Sequence, residues 1–206
     1  TPLSGKRCQW WNWHSHHSLY NLGEIIMTSS AGVYHDIEHY RGGQIIQTVT
    51  AVMRDTASKA VGTQSTWEFA DFPISIALSK PSNLVLVTGF ISISINGGSQ
   101  NIGVGIRRAG NNVNGAMGGL TGFASAKSNR RARHSETMHN GDFGISSLPI
   151  HFIDQPNTTD MLRYYPQFTH GSSSTRTIFI NRSDADSDNA EKGRNISILT
   201  AQEIVT

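Results

Sequence analysis

The segment that decides the fold reads LVLVTGFISISI and runs from Leu84 to Ile95. In its second half isoleucine alternates with serine, and this period of two is typical of a β-strand. In its first half both parities are apolar, so both faces of that part of the strand should be covered. The segment Ile196–Val205 repeats the pattern, with apolar residues on both parities.

The period of two recurs from residue 43 to the end of the chain. Further strands are predicted over Ile45–Met53, Ile74–Leu78, Ile102–Ile106, Ile145–Ile153, Met161–Phe168 and Ile178–Asn181. Between them lie groups of Gly and Asn, which accept the positive φ of tight turns: Asn96-Gly97-Gly98, Gly110-Asn111-Asn112, Gly118-Gly119 and Asn140-Gly141. About eight strands separated by such turns indicate an all-β, antiparallel sandwich.

The composition excludes several classes of protein. The 206 residues carry 17 Lys and Arg against 15 Asp and Glu, so a net charge of +2 indicates neither a nucleic-acid partner nor a membrane surface. No apolar run is long enough for membrane insertion, and Thr1 to Trp13 lacks the apolar core of a signal peptide. Cys8 is the single cysteine, which excludes an intrachain disulfide.

The first 42 residues differ from the rest. They lack an alternating apolar pattern, and they carry Trp10, Trp11 and Trp13 together with five of the nine histidines. We predict an irregular N-terminal arm over residues 1–42 and a β-sandwich over residues 43–206. Because tryptophan is favoured in buried contacts between proteins, the three tryptophans are predicted to dock on another protein.

A two-layer sandwich leaves the outer face of each sheet wet, so strands that are apolar on both faces need an additional cover. A neighbouring subunit would supply it, and the N-terminal arm is the alternative. On this argument the subunit interface is predicted at Leu84, Leu86, Leu199 and Ala201.

Six motifs, in order along residues 42–206, resemble the C-terminal domains of phage tail fibres that are common in marine and cyanobacterial phages. Those domains look like tumour-necrosis-factor-type jelly rolls. The matching segments are Gly43–Val49, Ser79–Val87, Arg107–Gly110, Phe152–Thr159 with its Phe-x-Asp-x-Pro pattern, Ile180–Ser183 and Ser197–Ile204. The insert from Leu120 to Gly141 departs from the family pattern, so no function is carried over to it.

The resemblance implies a jelly-roll homotrimer in the virion, with exposed loops that contact a host glycan or protein. It implies no catalysis and no cofactor, and the N-terminal arm would then dock to other virion proteins. The predicted function is that of a tail-fibre or receptor-binding protein. The alternatives are a capsid decoration or tail or collar adaptor without receptor binding, and a polysaccharide depolymerase.

Positive charge is concentrated in the insert. Lys127, Arg130, Arg131 and Arg133 stand close together and could bind the phosphates of lipopolysaccharide or another polyanion, which makes them the predicted receptor-binding residues. No aromatic residue is interleaved for base stacking, which argues against nucleic acid. A solvated loop is the alternative interpretation.

Three patterns resemble metal sites. His14-Ser15-His16 has the His-x-His spacing with which some trimeric phage spikes hold an axial iron, but a docking arm explains it equally. His35 to His39 fits His-x-x-Glu-His, yet the segment before Gly42-Gly43 is too short for the helix that a zinc protease needs. Asp184 to Asp188 resembles the start of a calcium loop, but Asn189 replaces the required glycine.

Nucleophilic and acid–base catalysis find little support. There is no Gly-x-Ser-x-Gly elbow, Cys8 has no evident partner, and nothing places Asp154 and Asp160 at the separation of a glycosidase pair. The sequence therefore predicts a protein that is not an enzyme.

Overall fold

A computed structural model describes residues 43–63, 65–110, 120–121, 133–139, 144–186 and 192–206. These residues contain β-strands and no helix. The strands are β1 (Ile45–Met53), β2 (Ala57–Val61), β3 (Trp67–Glu68), β4 (Ile74–Ala77), β5 (Leu84–Ile95), β6 (Gln100–Gly110), β7 (Leu120–Thr121), β8 (Ser135–His139), β9 (Ser146–Asp154), β10 (Met161–His170), β11 (Arg176–Ile180) and β12 (Ser197–Ile204).

The strands form two antiparallel sheets. In the first, β5 pairs with β9 on one edge and with β12 and then β11 on the other, while β1 lies outside β12 and β2 outside β11. In the second, β10 pairs with β3, β4 and β6, and β6 pairs with β7 and β8. Eight of these strands can be renumbered from one to eight in chain order: β1, β4, β5, β6, β8, β9, β10 and β12. With these numbers the strand order is 1-8-3-6 in the first sheet and 2-7-4-5 in the second. This is the strand order of a jelly roll, and the predicted fold class is confirmed.

Alternation along the strands builds the core between the two sheets. Ile91, Ile93 and Ile95 of β5 point inwards and are fully buried, while Ile102 and Ile106 of β6 face them from the second sheet. Side chains on the same face of a strand are two residues apart, so a strand with isoleucine at every second position presents one continuous apolar surface. The serines between the isoleucines of β5 lie on its outward parity.

Polar side chains stabilise the place where β11 ends and β12 begins beside the end of β1, which we call the joint of the first sheet. Asn181 has a φ of 59° and is fully buried. Its amide nitrogen donates to the carbonyl oxygens of Met53 and Asp55, both at 2.9 Å, and its Oδ1 accepts a hydrogen bond from the Ser197 hydroxyl at 2.6 Å. Asn tolerates this left-handed backbone, so the side chain and the backbone conformation stabilise the same joint.

The two ends of the sandwich differ in what they carry. At one end, which we call the proximal end, the Val205 amide donates to the Gln44 carbonyl at 3.0 Å, so the described start and end of the chain lie side by side. The connections of residues 78–83 and 155–160 lie at the same end. At the opposite, distal end lie three short connections, residues 62–66, 96–99 and 171–175.

The turn predicted at Asn96-Gly97-Gly98 is confirmed. Gly97 and Gly98 have φ values of 88° and 78°, a region that side chains with a Cβ rarely adopt. The Asn96 side chain accepts a hydrogen bond from the Thr177 amide at 2.8 Å and ties the turn to β11. The other predicted turns include residues 111–112, 118–119 and 140–141, which lie outside the described residues.

Gly89 provides a test of the register between β5 and β12. Its φ is 147°, and a Cβ at this position would collide with the carbonyl oxygen of Ile198 on the paired strand. We expect Gly89→Ala to lower the free energy of unfolding by about 1–3 kcal/mol for the strained backbone. The collision with Ile198 should add a further loss, and both are measured by urea titration.

Gly98→Ala is the matched control, because its φ is also positive but no heavy atom lies within 4 Å of the added Cβ. The register is wrong if the two variants lose the same amount of stability.

Candidate interaction surfaces

Arg133 is the one predicted receptor-binding residue that the structure describes, and it does not point to solvent. Its aliphatic chain lies across Gly103, its Nε donates to the Thr169 hydroxyl at 3.0 Å, and its guanidinium forms an ion pair with Glu136. Only 11% of the side chain is exposed. Its charge is therefore already compensated within the fold, which argues against the prediction that Arg133 binds a receptor. Lys127, Arg130 and Arg131 lie outside the described residues.

The predicted subunit interface is corrected in two of its four residues. Leu199 and Ala201 are fully buried in the core, because the register places them beside Gly89 and Val87 on the inner face. The chain's own second sheet covers them, so the argument for a neighbouring subunit cannot rest on these positions. Leu84 and Leu86 do lie on the outward parity.

Leu84 and Leu86 differ in exposure. Leu84 is 3% exposed and pairs with Ile204 at the proximal edge of the sheet. Leu86 is half-buried between Gln202 and Ile153. The first half of β5 is thus apolar on both faces, as the sequence predicts, and of its outward leucines Leu86, unlike Leu84, is left partly exposed.

The outward face of the first sheet carries no charged Asp, Glu, Lys or Arg across four strands. Its side chains form three cross-strand rows, each taken from β1, β12, β5 and β9 in turn: Thr48, Gln202, Leu86 and Ile153; Thr50, Thr200, Thr88 and His151; and Val52, Ile198, Phe90 and Pro149. We call these three rows the neutral face. The row that starts at Val52 is entirely apolar, the row that starts at Thr48 is half polar, and the middle row consists of three threonines and one histidine.

The polar groups of the neutral face bond within it. The hydroxyls of Thr50 and Thr200 are 3.1 Å apart, and the Gln202 amide donates to the Thr48 hydroxyl at 3.3 Å. Because these side chains find partners on the neighbouring strand, the face can be removed from water at a small cost in lost hydrogen bonds. Val52 is 41% exposed, so in the single chain part of the face is left to solvent.

The outward face of the second sheet has the opposite character. Arg107 forms an ion pair with Glu68, and the Gln167 amide donates to the same carboxylate at 3.2 Å. Partial burial and the nearby Glu68 charge raise the pKa of the Tyr165 hydroxyl. Arg163, on the same face, is exposed. The two faces of the sandwich therefore differ sharply in charge.

A polar cluster joins the two sheets near the proximal end. Asp154, the central residue of the Phe-x-Asp-x-Pro motif, accepts hydrogen bonds from Arg108 Nη1 at 2.9 and 2.7 Å and from the Tyr164 hydroxyl at 2.7 Å. Burial and the adjacent Asp154 charge raise the pKa of Tyr164 well above its usual value. A phenol held protonated in this way acts as a hydrogen-bond donor, so the cluster clamps β9 against β6 and β10.

A second buried carboxylate fixes the connection before β5. Oε1 of Glu203 accepts hydrogen bonds from the Ser79 amide, the Ser79 hydroxyl and the Asn83 amide, each at 2.7 Å. Burial on its own would raise the pKa of Glu203, but these hydrogen bonds outweigh it and hold the pKa below its usual value. The ionised side chain therefore contributes to the stability of the fold.

The distal connections are rich in hydroxyl and amide groups. Arg176 links two of them, because its guanidinium lies against Gly97 and its Nε donates to the Ser172 hydroxyl at 3.0 Å. Ser99 and Ser173 are exposed beside it. The described residues of these connections carry no Lys, Arg, Asp or Glu, and Arg176 itself is the first residue of β11.

The metal-like patterns receive no support within the described residues, which hold no group of three or more His, Cys, Asp or Glu that could bind an ion. The Asp186 carboxylate forms ion pairs with Arg194 at 3.1 Å and with Arg182 at 3.7 Å. Trp10, Trp11, Trp13, His14, His16 and the segment from His35 to His39 lie outside the described residues. The described part also holds no helix that could cross a membrane.

Only part of the signal for the neutral face is visible in the sequence. Its signal is a run of alternate positions without charge in four separate strands, such as Thr48, Thr50 and Val52 in β1. Recognising it as one surface required the register between strands, which a single sequence does not contain.

No family model matches the sequence, and neither does any curated protein. Among solved structures, the chain is similar to infectious bursal disease virus of the Gx strain, with a TM-score of 0.43 and 10% identity over 90% of this chain and 43% of that chain. The Gt strain gives a TM-score of 0.43 and 11% identity over the same shares. The T13 particle of that virus gives 0.40 and 10% over 77% and 37%.

The chain thus spans less than half of the length of the chains that it matches. Likenesses of this degree carry no information about function.

The ion pair between Arg108 and Asp154 can be tested by substitution. We expect Asp154→Asn to lower the free energy of unfolding by about 3 kcal/mol, because it removes a buried carboxylate that pairs with the partly buried Arg108 and accepts from Tyr164. Asp186→Asn, which breaks a more exposed ion pair, should cost about 0–1 kcal/mol in the same urea titration. Equal losses of stability in the two variants would show that the Asp154 cluster does not hold the two sheets together.

The lowered pKa of Glu203 should make the stability of the fold depend on pH. Since its pKa is lower in the folded than in the unfolded chain, its contribution is fully present above the unfolded value of about 4.3 and is lost as the pH falls through the folded value. The wild-type protein should be more stable than Glu203→Gln at pH 7, and this advantage should shrink below about pH 4. An advantage that is equal at pH 3 and pH 7 would contradict a role for the charge.

Proposed function

We propose that this chain is a non-enzymatic virion component of the bacteriophage tail-fibre type, which attaches the particle to its host as a homotrimer. In this proposal the N-terminal arm, with Trp10, Trp11 and Trp13, docks to another virion protein. The opposite end of the sandwich contacts a glycan or protein of the host surface.

The arrangement of the two ends supports this proposal most directly. The Val205–Gln44 hydrogen bond fixes the described start and end of the chain at the proximal end, and the arm continues from there. The connections at residues 62–66, 96–99 and 171–175, Gln64 apart, lie at the opposite end of the sandwich from this junction. A rigid body that is held at one end presents short loops at the other, and such loops are the usual place for binding residues.

The chemistry of the distal end favours a neutral ligand. The described residues of the three distal connections are Gly, Ser, Thr and Asn, with hydroxyl and amide groups, and the charged side chain that links two of them is Arg176 at the start of β11. Sugars are recognised through such groups, because each sugar hydroxyl can both donate and accept a hydrogen bond. Arg133, by contrast, is already engaged on the outer face of the second sheet. We therefore propose the distal connections as the host contact, while Lys127, Arg130 and Arg131 of the basic insert stay a prediction outside the described residues.

The resemblance to phage tail-fibre domains adds support through the positions of its motif residues. Asp154 of the Phe-x-Asp-x-Pro motif clamps the sheets together, and Asn181 of the Ile-Asn-Arg-Ser motif fixes the joint in the first sheet. These residues act on the fold, so the motifs indicate a shared architecture. The site of host contact is argued from the ends of the sandwich alone.

The proposal is tested with the full chain, labelled with a fluorophore and titrated on intact bacterial cells and on an array of neutral and acidic glycans. The distal variant Ser99→Arg/Ser173→Arg should lose at least tenfold in affinity, because two large charged side chains crowd the contact. The proximal variant Gln155→Arg/Thr159→Arg adds the same charge at the other end and should bind like the wild type.

Two outcomes would contradict the proposal. Equal losses in the distal and the proximal variant would place the contact elsewhere. Saturable binding to a virion protein with no binding to any cell or glycan would indicate a decoration or adaptor protein.

A further inference from the structure

We propose that Arg176, at the distal end of the sandwich, binds the carboxylate of an acidic sugar in a host glycan. The inference rests on the proposed host contact and refines its ligand. The neutral part of the glycan lies on the hydroxyl and amide groups of the distal connections, and Arg176 selects the one sugar that carries a negative charge.

Arg176 lies where the three distal connections meet. It is the first residue of β11, and its backbone pairs with Val61, which directly precedes the first connection. Its guanidinium lies against Gly97 of the second connection. Its Nε donates to the hydroxyl of Ser172, in the third connection, at 3.0 Å. A ligand that contacts the distal end is therefore close to this side chain.

Two contacts hold the guanidinium in place. Ser172 is buried, and its hydroxyl accepts hydrogen bonds from Arg176 Nε and, at 3.2 Å, from the Ser174 amide. On its other side the guanidinium fills the space beside Gly97, where an added Cβ would collide with Nη1. A side chain that is fixed before binding loses less conformational entropy when it binds. Because Nε is engaged by Ser172, the two Nη nitrogens are the groups that face a ligand.

No carboxylate among the described residues neutralises Arg176. This distinguishes it from the other partly buried arginines in the described part of the chain, each of which forms an ion pair with an Asp or a Glu: Arg107, Arg108, Arg133 and Arg182. A charge that is partly removed from water without a partner costs free energy. A carboxylate of the ligand supplies the missing partner.

The guanidinium and its surroundings favour a carboxylate over a phosphate. Two parallel N–H groups of a guanidinium match the two oxygens of a planar carboxylate. A phosphate monoester carries about two negative charges near neutral pH. The described residues of the distal connections offer no second Lys or Arg that would balance them.

The residues around Arg176 favour a sugar as the carrier of the carboxylate. Ser99, Ser173 and Ser174 are exposed. Asn96 accepts a hydrogen bond from the Thr177 amide through Oδ1, and its own amide nitrogen has no acceptor among the described residues. Such groups pair with sugar hydroxyls. The described residues of the connections are Gly, Ser, Thr and Asn, so they offer none of the large apolar anchors that are typical of contacts between proteins.

The test is a titration of the fluorophore-labelled full chain with matched pairs of oligosaccharides. One member of each pair contains a hexuronic acid or a sialic acid, and the other is the same oligosaccharide with that carboxyl group reduced to an alcohol. The wild type should bind the acidic member roughly tenfold more tightly or better, as expected for hydrogen bonds between two charged groups.

Three variants assign this preference to a residue. Arg176→Gln removes the charge and should bind both members of a pair alike, whereas Arg176→Lys keeps the charge without the fork and should retain part of the preference. Arg163→Gln is the matched control, because it removes the same charge from an exposed position on the outer face of the second sheet. It should keep the full preference of the wild type. Urea titration checks that each variant is folded.

Four results would overturn the inference. Equal affinity of the wild type for both members of every pair, or a preference that survives in Arg176→Gln, would remove the role of Arg176 and leave the proposed host contact in place. Tighter binding of a hexose phosphate would replace the carboxylate. Binding to cells that protease treatment abolishes, without binding to any oligosaccharide, would indicate a protein receptor. A chain that binds neither cells nor glycans would contradict the proposed function as well.

Discussion

The described fold depends on one constraint, which is that β5 must be covered on both sides. Its inward isoleucines are fully buried against the second sheet, and its edges pair with β12 and β11 on one side and with β9 on the other. A strand in this position cannot move without breaking the core and both ladders. The outward half, from Leu86 to Phe90, is the part whose cover is incomplete within the single chain.

Polar groups hold the sandwich at the points where its strands are irregular. Asp154 ties the two sheets together, Glu203 fixes the connection before β5, and Asn181 closes the joint of the first sheet. Each of them is buried and satisfies several donors or acceptors at once. Buried polar groups that are fully hydrogen-bonded specify one arrangement of a core, and here they set the geometry of both ends.

The sequence alone predicts the strands in which apolar and polar residues alternate strongly. β5 was predicted with its observed bounds, and segments close to β1, β4, β6, β9, β10, β11 and β12 were recognised as well. β2 and β8 were missed, because Ala57–Val61 has almost no alternation and Ser135–His139 has Met138 as its single large aliphatic residue. β3, Trp67–Glu68, was too short for a period to be visible.

The interaction surfaces were harder to predict, since a period of two gives two faces without saying which is inner. Leu199 and Ala201 were assigned outwards, but their register with Gly89 and Val87 places them in the core. Arg133 stands in a run of positive charge, yet its guanidinium pairs with Glu136 three residues along the chain and donates to Thr169 of β10, a contact that only the fold reveals.

The most direct measurement is an experimental structure of the full-length chain in its solution assembly. The account predicts that side chains of a second copy lie within about 4.5 Å of Leu86 and Phe90. Contact of these residues with solvent, or with the chain's own N-terminal arm alone, would contradict it.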